Sequence, residues 1–211
     1  MTSPSPWEYV GVFLGCAGLA LYLTPLALAW ASRRNLMDRP GPGKSHSQAV
    51  PYLGGVAIVA SFSLVILVAA LIRPDGADTK ALEVTVASGV ALALMGLFDD
   101  LRGLPVWVRL LLEAGAGVVL YATGTRAHLA GAGIGPDAVV TVLWVVGITN
   151  AFNLLDNMDG LSAGVATIAA FWFFIVSVVN GQYFVAILSL AIVGCAAGFL
   201  RHNRFPARIY M

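Results

Sequence analysis

Residues 161–200 read LSAGVATIAAFWFFIVSVVNGQYFVAILSLAIVGCAAGFL. Two apolar runs, 161–179 and 182–200, are parted only by a short polar break from Asn180 to Gln182. An α-helix needs roughly 20 mostly apolar residues to cross the hydrocarbon core of a bilayer. Each run is about that long. A break this brief, with a glycine in it, makes a tight turn between antiparallel helices. The stretch therefore reads as a membrane hairpin, and lipid becomes the solvent against which the other residues are judged.

Working outward, the same pattern recurs at 7–31, 53–72, 82–98, 107–124 and 137–155. The chain is 59% hydrophobic and only 11% charged, with a mean hydropathy of +0.85. Soluble domains carry about a quarter charged residues. The expected fold is all-α: a polytopic integral membrane protein of about seven spans. No repeat period and no Ser- or Pro-rich linker divides it, so residues 1–211 read as a single membrane domain. Net charge is +1, so no global basic patch suggests nucleic acid. Cys16 and Cys195 both fall in apolar runs and read as small buried hydrophobes, without disulfide or metal spacing. The first run has no basic residue before it and carries Arg33 and Arg34 at its far end. That is the reverse of a secretory signal peptide, so a retained anchor is expected.

Orientation follows from lysine and arginine. With the N-terminus outside, the inner face receives Arg33, Arg34, Arg39, Lys44, Arg102, Arg109, Arg201, Arg204 and Arg208. The outer face receives only Arg73, Lys80 and Arg126. Every unusual polar stretch then lands on the cytoplasmic side: 38–55, 98–103, 150–160 and 201–208. The outer connectors at 73–81 and 128–137 are ordinary small-polar loops.

The densest of the inner stretches is NAFNLLDNMDG, residues 150–160. An ionised carboxylate at the centre of a spanning helix costs about 2.5–3.5 kcal/mol. Asn150, Asn153, Asp156 and Asp159 recur every third residue and form a slowly drifting helical stripe. Carboxylates for a metal, with amides that donate and accept, suit a phosphate-and-sugar site. A helix end unravelling to Gly160 is the plainer alternative, but it leaves Asn150 and Asn153 unexplained. Asp99 and Asp100 end the third span. Adjacent carboxylates repel and are eased by a nearby cation such as Mg²⁺; a solvated helix terminus beside Arg102 is the alternative.

The first inner loop alternates proline and glycine at 40–43, then carries Lys44 and His46, then Pro51, Gly54 and Gly55. Lys44 could meet a phosphate, or only obey the inner-positive bias. His46 could shuttle a proton, or only be solvated. Glu113 lies at i, i+4 from Arg109, and a structural ion pair between them is expected. Trp7, Trp30, Trp107 and Tyr183 sit near span ends, as interfacial anchors do.

From about Asp38 onward the chain resembles the polyprenyl-phosphate N-acetylhexosamine-1-phosphate transferases, glycosyltransferase family 4. DRPGPGKSHSQAVPYLGGVAI resembles the family's first loop and GLFDDLRGLPVWVRLLLE its paired-aspartate segment. NAFNLLDNMDGLSAG resembles its Asn-x-x-Asn-x-x-Asp-x-x-Asp-Gly-Leu segment, and GFLRHNRFPARIYM the lead-in to its next acidic motif. The resemblance implies a catalytic role for Asp99 and Asp100, metal binding by Asn153 and Asp156, and nucleotide-sugar binding by Lys44, His46, Asn150, Asn153, Asp156 and Asp159. It implies Mg²⁺, with Mn²⁺ as a substitute, and a multi-pass protein of the cell membrane. The spacing of Lys44 and His46 to Pro51 and Gly54–Gly55 fits the UDP-GlcNAc branch better than the muramoyl-pentapeptide branch. Asn157 stands where the family often has glycine. Past PARIYM the family continues with Gly-Asp-x-Gly and further spans, so residues 1–211 are expected to be incomplete at the C-terminus.

The expected reaction moves an N-acetylhexosamine-1-phosphate, GlcNAc-1-phosphate first among them, from a UDP-sugar to a polyprenyl phosphate, releasing UMP. This would be the first membrane step of cell-wall or surface glycopolymer synthesis, and it allows a homodimer. Three alternatives stay open: a non-catalytic fragment of such an enzyme, a Mg²⁺-dependent intramembrane prenyltransferase, and a cation-coupled carrier. A carrier would place its polar groups near the bilayer midplane, whereas these cluster at one face.

Overall fold

The computed structural model describes residues 4–38, 49–72, 79–129 and 133–211. The described residues form seven α-helices: α1 (Pro6–Arg33), α2 (Gly54–Ile72), α3 (Thr79–Arg102), α4 (Val106–Ala122), α5 (Ile134–Leu155), α6 (Leu161–Val179) and α7 (Tyr183–Asn203). Each expected span is a helix, with ends displaced by a few residues. Six are long and apolar enough to cross a membrane. The seventh, α4, has 17 residues and rises only about 25 Å at 1.5 Å per residue. Two short strands, β1 (Met37–Asp38) and β2 (Val50–Pro51), pair antiparallel.

The chain divides into two compact units, Met1–Ala77 with Leu155–Met211, and Asp78–Leu154. In the first, α7 packs against α1, α6 and α2. Its glycines set how closely the helices approach. A Cβ at Gly194 would lie 2.7 Å from the carbonyl oxygen of Phe13, and one at Gly198 would lie 2.6 Å from that of Ala17. These glycines, four residues apart, face Cys16 and Ala20 on α1, both fully buried. Membrane helices associate through close backbone approach of this kind, because lipid supplies no hydrophobic drive between them. At one end of the unit Tyr9 meets Phe174 edge-on at 5.3 Å, beside Ala170, Leu190 and Val193. At the other, Phe199, Ala163 and Ile209 form a buried cluster with Ala27, Leu28 and Ile58 around it. Large apolar side chains such as Leu14, Leu64, Leu71 and Phe173 are exposed, as lipid-facing positions should be.

In the second unit α3 packs on α4. Gly117 of α4 approaches α5 so closely that a Cβ would sit 3.0 Å from the Cα of Val142. The connector into α5 is more than the plain loop expected from its sequence. Asp137 is buried, with Oδ1 accepting the Leu129 amide at 2.8 Å and Oδ2 lying 2.9 Å from Nδ1 of His128. The Tyr121 hydroxyl donates to the carbonyl of Ile134 at 3.0 Å.

Candidate active site

In the first unit, α5 gives way at Asp156 to a turn that closes on Gly160, at φ +71°, before α6 begins. A positive φ is cheap only for glycine, so the turn's last position is chemically specified. The turn grips the chain's last residues. Asp159 accepts the Ala207 amide on Oδ2 and the Tyr210 hydroxyl on Oδ1, each at 2.9 Å. Asp156 accepts the Met211 amide on Oδ2 at 3.2 Å. Asn203, buried at the end of α7, ties both parts together. Its Oδ1 accepts the Gly160 amide at 3.1 Å, while its Nδ2 donates to the carbonyl of Ile209 at 2.9 Å.

The opposite edge of the same segment is held by backbone. The Tyr210 amide donates to the Pro51 carbonyl, and the Tyr210 carbonyl accepts from the Gly54 amide, both at 2.9 Å. Leu53, between them, holds φ +118°, a strained value for a side-chain-bearing residue. Gly54 has no room for a side chain: a Cβ would lie 2.4 Å from the Phe199 ring and 2.6 Å from the Tyr210 carbonyl oxygen. Three stretches expected on one face, 38–55, 150–160 and 201–208, therefore contribute Gly54, the Asp156–Gly160 turn and the end of α7 to one end of this unit.

In the second unit Asp99 and Asp100 occupy the last turn of α3. Asp99 uses both oxygens: Oδ1 accepts the Leu104 amide at 2.6 Å and Oδ2 accepts from Nη1 of Arg109 at 2.7 Å. Asp100 is exposed. This corrects the expected ion pair between Arg109 and Glu113. Arg109 turns instead to Asp99, a charge-assisted contact across the α3–α4 connection. Glu113 is buried and accepts a hydrogen bond from Nδ2 of Asn150, which also donates to the Val146 carbonyl at 2.9 Å. Asn150 thus serves a buried acid here. Asn153, one turn later on α5, is exposed.

Lys44 and His46 lie outside the described residues. Among the described residues no three His, Cys, Asp or Glu side chains gather as a ready-made metal cage. Mg²⁺ does not require one, since it keeps waters and takes one or two carboxylates with substrate phosphates. Asp156 and Asn153 each carry oxygens of the hard type that Mg²⁺ takes. Asn203 and Tyr210 were missed as site residues. The only signal for either was its place in the GFLRHNRFPARIYM stretch.

Helices able to span a membrane, with an acidic turn clasping an adjacent segment, define a multi-pass membrane protein with a built polar site at a helix end. The profile of Glycosyl transferase family 4 matches residues 82–211, and the chain belongs to that family. It is 29% identical over 199 residues to a Bacillus subtilis protein named as a probable undecaprenyl-phosphate N-acetylglucosaminyl 1-phosphate transferase, covering 90% of this chain and 54% of that one. It is likewise 29% identical over 179 residues to the phospho-N-acetylmuramoyl-pentapeptide-transferase of Levilactobacillus brevis, covering 76% of this chain and 55% of the other. An Anoxybacillus flavithermus protein of the same name is 31% identical over 230 residues, covering 95% and 69%. The chain spans about half the length of the first two relatives.

Proposed function

We propose that this chain carries the motifs of a transferase that moves an N-acetylhexosamine-1-phosphate from a UDP-sugar to a polyprenyl phosphate and releases UMP. The observation that carries the reading is the clasp of Asp156 and Asp159 on residues 207–211, in a chain of this family. A lipid phosphate oxygen attacks the sugar-linked phosphorus; a new phosphoanhydride bond forms as the bond to UMP breaks. Such a reaction needs positioning and charge neutralisation more than covalent chemistry. Asp100, which is exposed, is the member of the aspartate pair assigned to touch substrate. Asp99, held by Leu104 and Arg109, positions it. Asp156 and Asn153 would hold Mg²⁺ or Mn²⁺, which would neutralise the phosphate charge. Lys44 and His46 are assigned to the nucleotide-sugar, with the motif loops cytoplasmic.

GlcNAc-1-phosphate is the first donor group to try, on the first-loop spacing given above and on the relative in B. subtilis. The test supplies the protein with undecaprenyl phosphate, Mg²⁺ and either UDP-GlcNAc or UDP-N-acetylmuramoyl-pentapeptide, and follows UMP. UMP from UDP-GlcNAc, lost in Asp100→Asn and Asp156→Asn, supports the reading. Pyrophosphate from a prenyl diphosphate, with no UMP from either donor, would replace it with the prenyltransferase.

A further inference from the structure

Beyond the acidic turn, the end of α7 carries an opposite charge pattern. Arg201, His202, Arg204, Phe205, Pro206 and Arg208 line a cleft of ≈ 310 Å³. The Arg208 amide donates to the His202 carbonyl at 3.0 Å, which folds the chain back and returns Arg208 to the last turn of α7. All three arginines are exposed, and among the described residues no carboxylate pairs with any of them. The Nε2 atom of His202 is buried and makes no hydrogen bond among the described residues. Phe205 is 85% exposed on the cleft wall.

We propose that this cleft binds the headgroup phosphate of an anionic membrane phospholipid. Arginine presents a planar fork that matches phosphate oxygens two at a time, and three unneutralised forks around one cleft ask for an anion. The apolar wall decides which anion. α7 is a membrane-capable helix, and its end brings an exposed phenylalanine and a proline beside the arginines. A soluble phosphate has no use for that wall, whereas a phospholipid lays its glycerol and first acyl carbons against it. Interfacial aromatics beside basic residues are placed this way in membrane proteins generally. The inference is independent of the proposed reaction and holds or fails without it.

The test uses the purified full chain in phosphatidylcholine nanodiscs containing a minor fraction of phosphatidylglycerol. Native mass spectrometry counts the phosphatidylglycerol retained after release from the nanodisc. The parent is expected to retain it selectively over phosphatidylcholine. Selectivity should fall by roughly ten-fold or more in Arg201→Gln/Arg204→Gln/Arg208→Gln. Arg33→Gln/Arg34→Gln, at exposed arginines outside the cleft, should keep it. If the triple variant does not fold, Arg204→Gln alone carries the test with a smaller loss. Equal retention in parent and cleft variants overturns the proposal, as does an equal loss in the Arg33/Arg34 control. Binding of inorganic pyrophosphate in place of phosphatidylglycerol, abolished by the same variants, also overturns it and reassigns the cleft to a soluble phosphate.

Discussion

The hydroxyl of Tyr210 donates a 2.9 Å hydrogen bond to Oδ1 of Asp159, 51 residues earlier in the chain. The other carboxylate oxygen takes the Ala207 amide, so one side chain fastens residues 207–210 to the turn before α6. Hydrogen bonds to charged groups contribute about 1.5–3 kcal/mol each. Asp159→Ala should lower stability by about 2–4 kcal/mol, because it also strands the Ala207 amide. Tyr210→Phe should cost about half as much. Thermal unfolding in one fixed detergent checks both, and a neutral Tyr210→Phe would show that the hydroxyl contributes nothing to the clasp.

Crowded and open glycines should respond to alanine by different amounts. Gly54→Ala must push aside both the Phe199 ring and the Tyr210 carbonyl, an overpacking that costs about 1–3 kcal/mol. At Gly55 the nearest atom to an added Cβ is 3.6 Å away, and Gly55→Ala should change stability by less than about 1 kcal/mol. The same contrast applies to Gly198→Ala, where the Ala17 carbonyl lies 2.6 Å from the new Cβ, against Gly18→Ala, where nothing lies within 4 Å. Melting temperatures of the four variants decide it; equal shifts within either pair would mean that helix approach is not set by these glycines.

How much of this was legible in the sequence depended on distance along the chain. The hairpin at 161–200 emerges as α6 and α7 with a turn at Gly181 (φ +68°), because apolar length and a glycine break are written locally. The acidic stripe marked its end of α5 for the same reason. What local spacing misjudged was partnership. Arg109 and Glu113 are correctly spaced for an ion pair, yet Asp99 lies 2.7 Å from Arg109 and Asn150 reaches Glu113 from 37 residues away. Nor could spacing show that Asn203 would join Gly160 to Ile209, since that depends on α7 returning alongside α6.

The Glu113–Asn150 contact should behave as a coupled pair. Glu113 is 2% exposed, and Asn150→Ala removes its amide donor, at a cost of about 1–3 kcal/mol. Glu113→Ala alone leaves Asn150 with the Val146 carbonyl and should cost less. The double variant should then lose less than the sum of the two singles, by about 0.5–3 kcal/mol. Strict additivity in a denaturation cycle would mean that the two side chains do not interact. If Asn150 instead binds substrate, Asn150→Ala will raise KM for the nucleotide-sugar while leaving the melting temperature unchanged.

The paired aspartates should separate kinetically. Asp100 is exposed and Asp99 is bonded on both oxygens to residues of the α3–α4 connection. Asp99→Asn keeps an oxygen for the Leu104 amide but removes the charge that faces Arg109; Arg109→Gln removes the same contact from the other side. The two variants should therefore lose kcat by similar factors, up to about a hundredfold, as misplacement of a catalytic group does, and combining them should add little. Asp100→Asn should reduce UMP release to background while leaving the melting temperature near that of the parent. The pattern distinguishes contact from positioning because only positioning makes Asp99 and Arg109 interchangeable. Were Asp99→Asn inactive and Arg109→Gln fully active, Asp99 would be the group that meets the substrate, and its bond to Arg109 would be incidental to the chemistry.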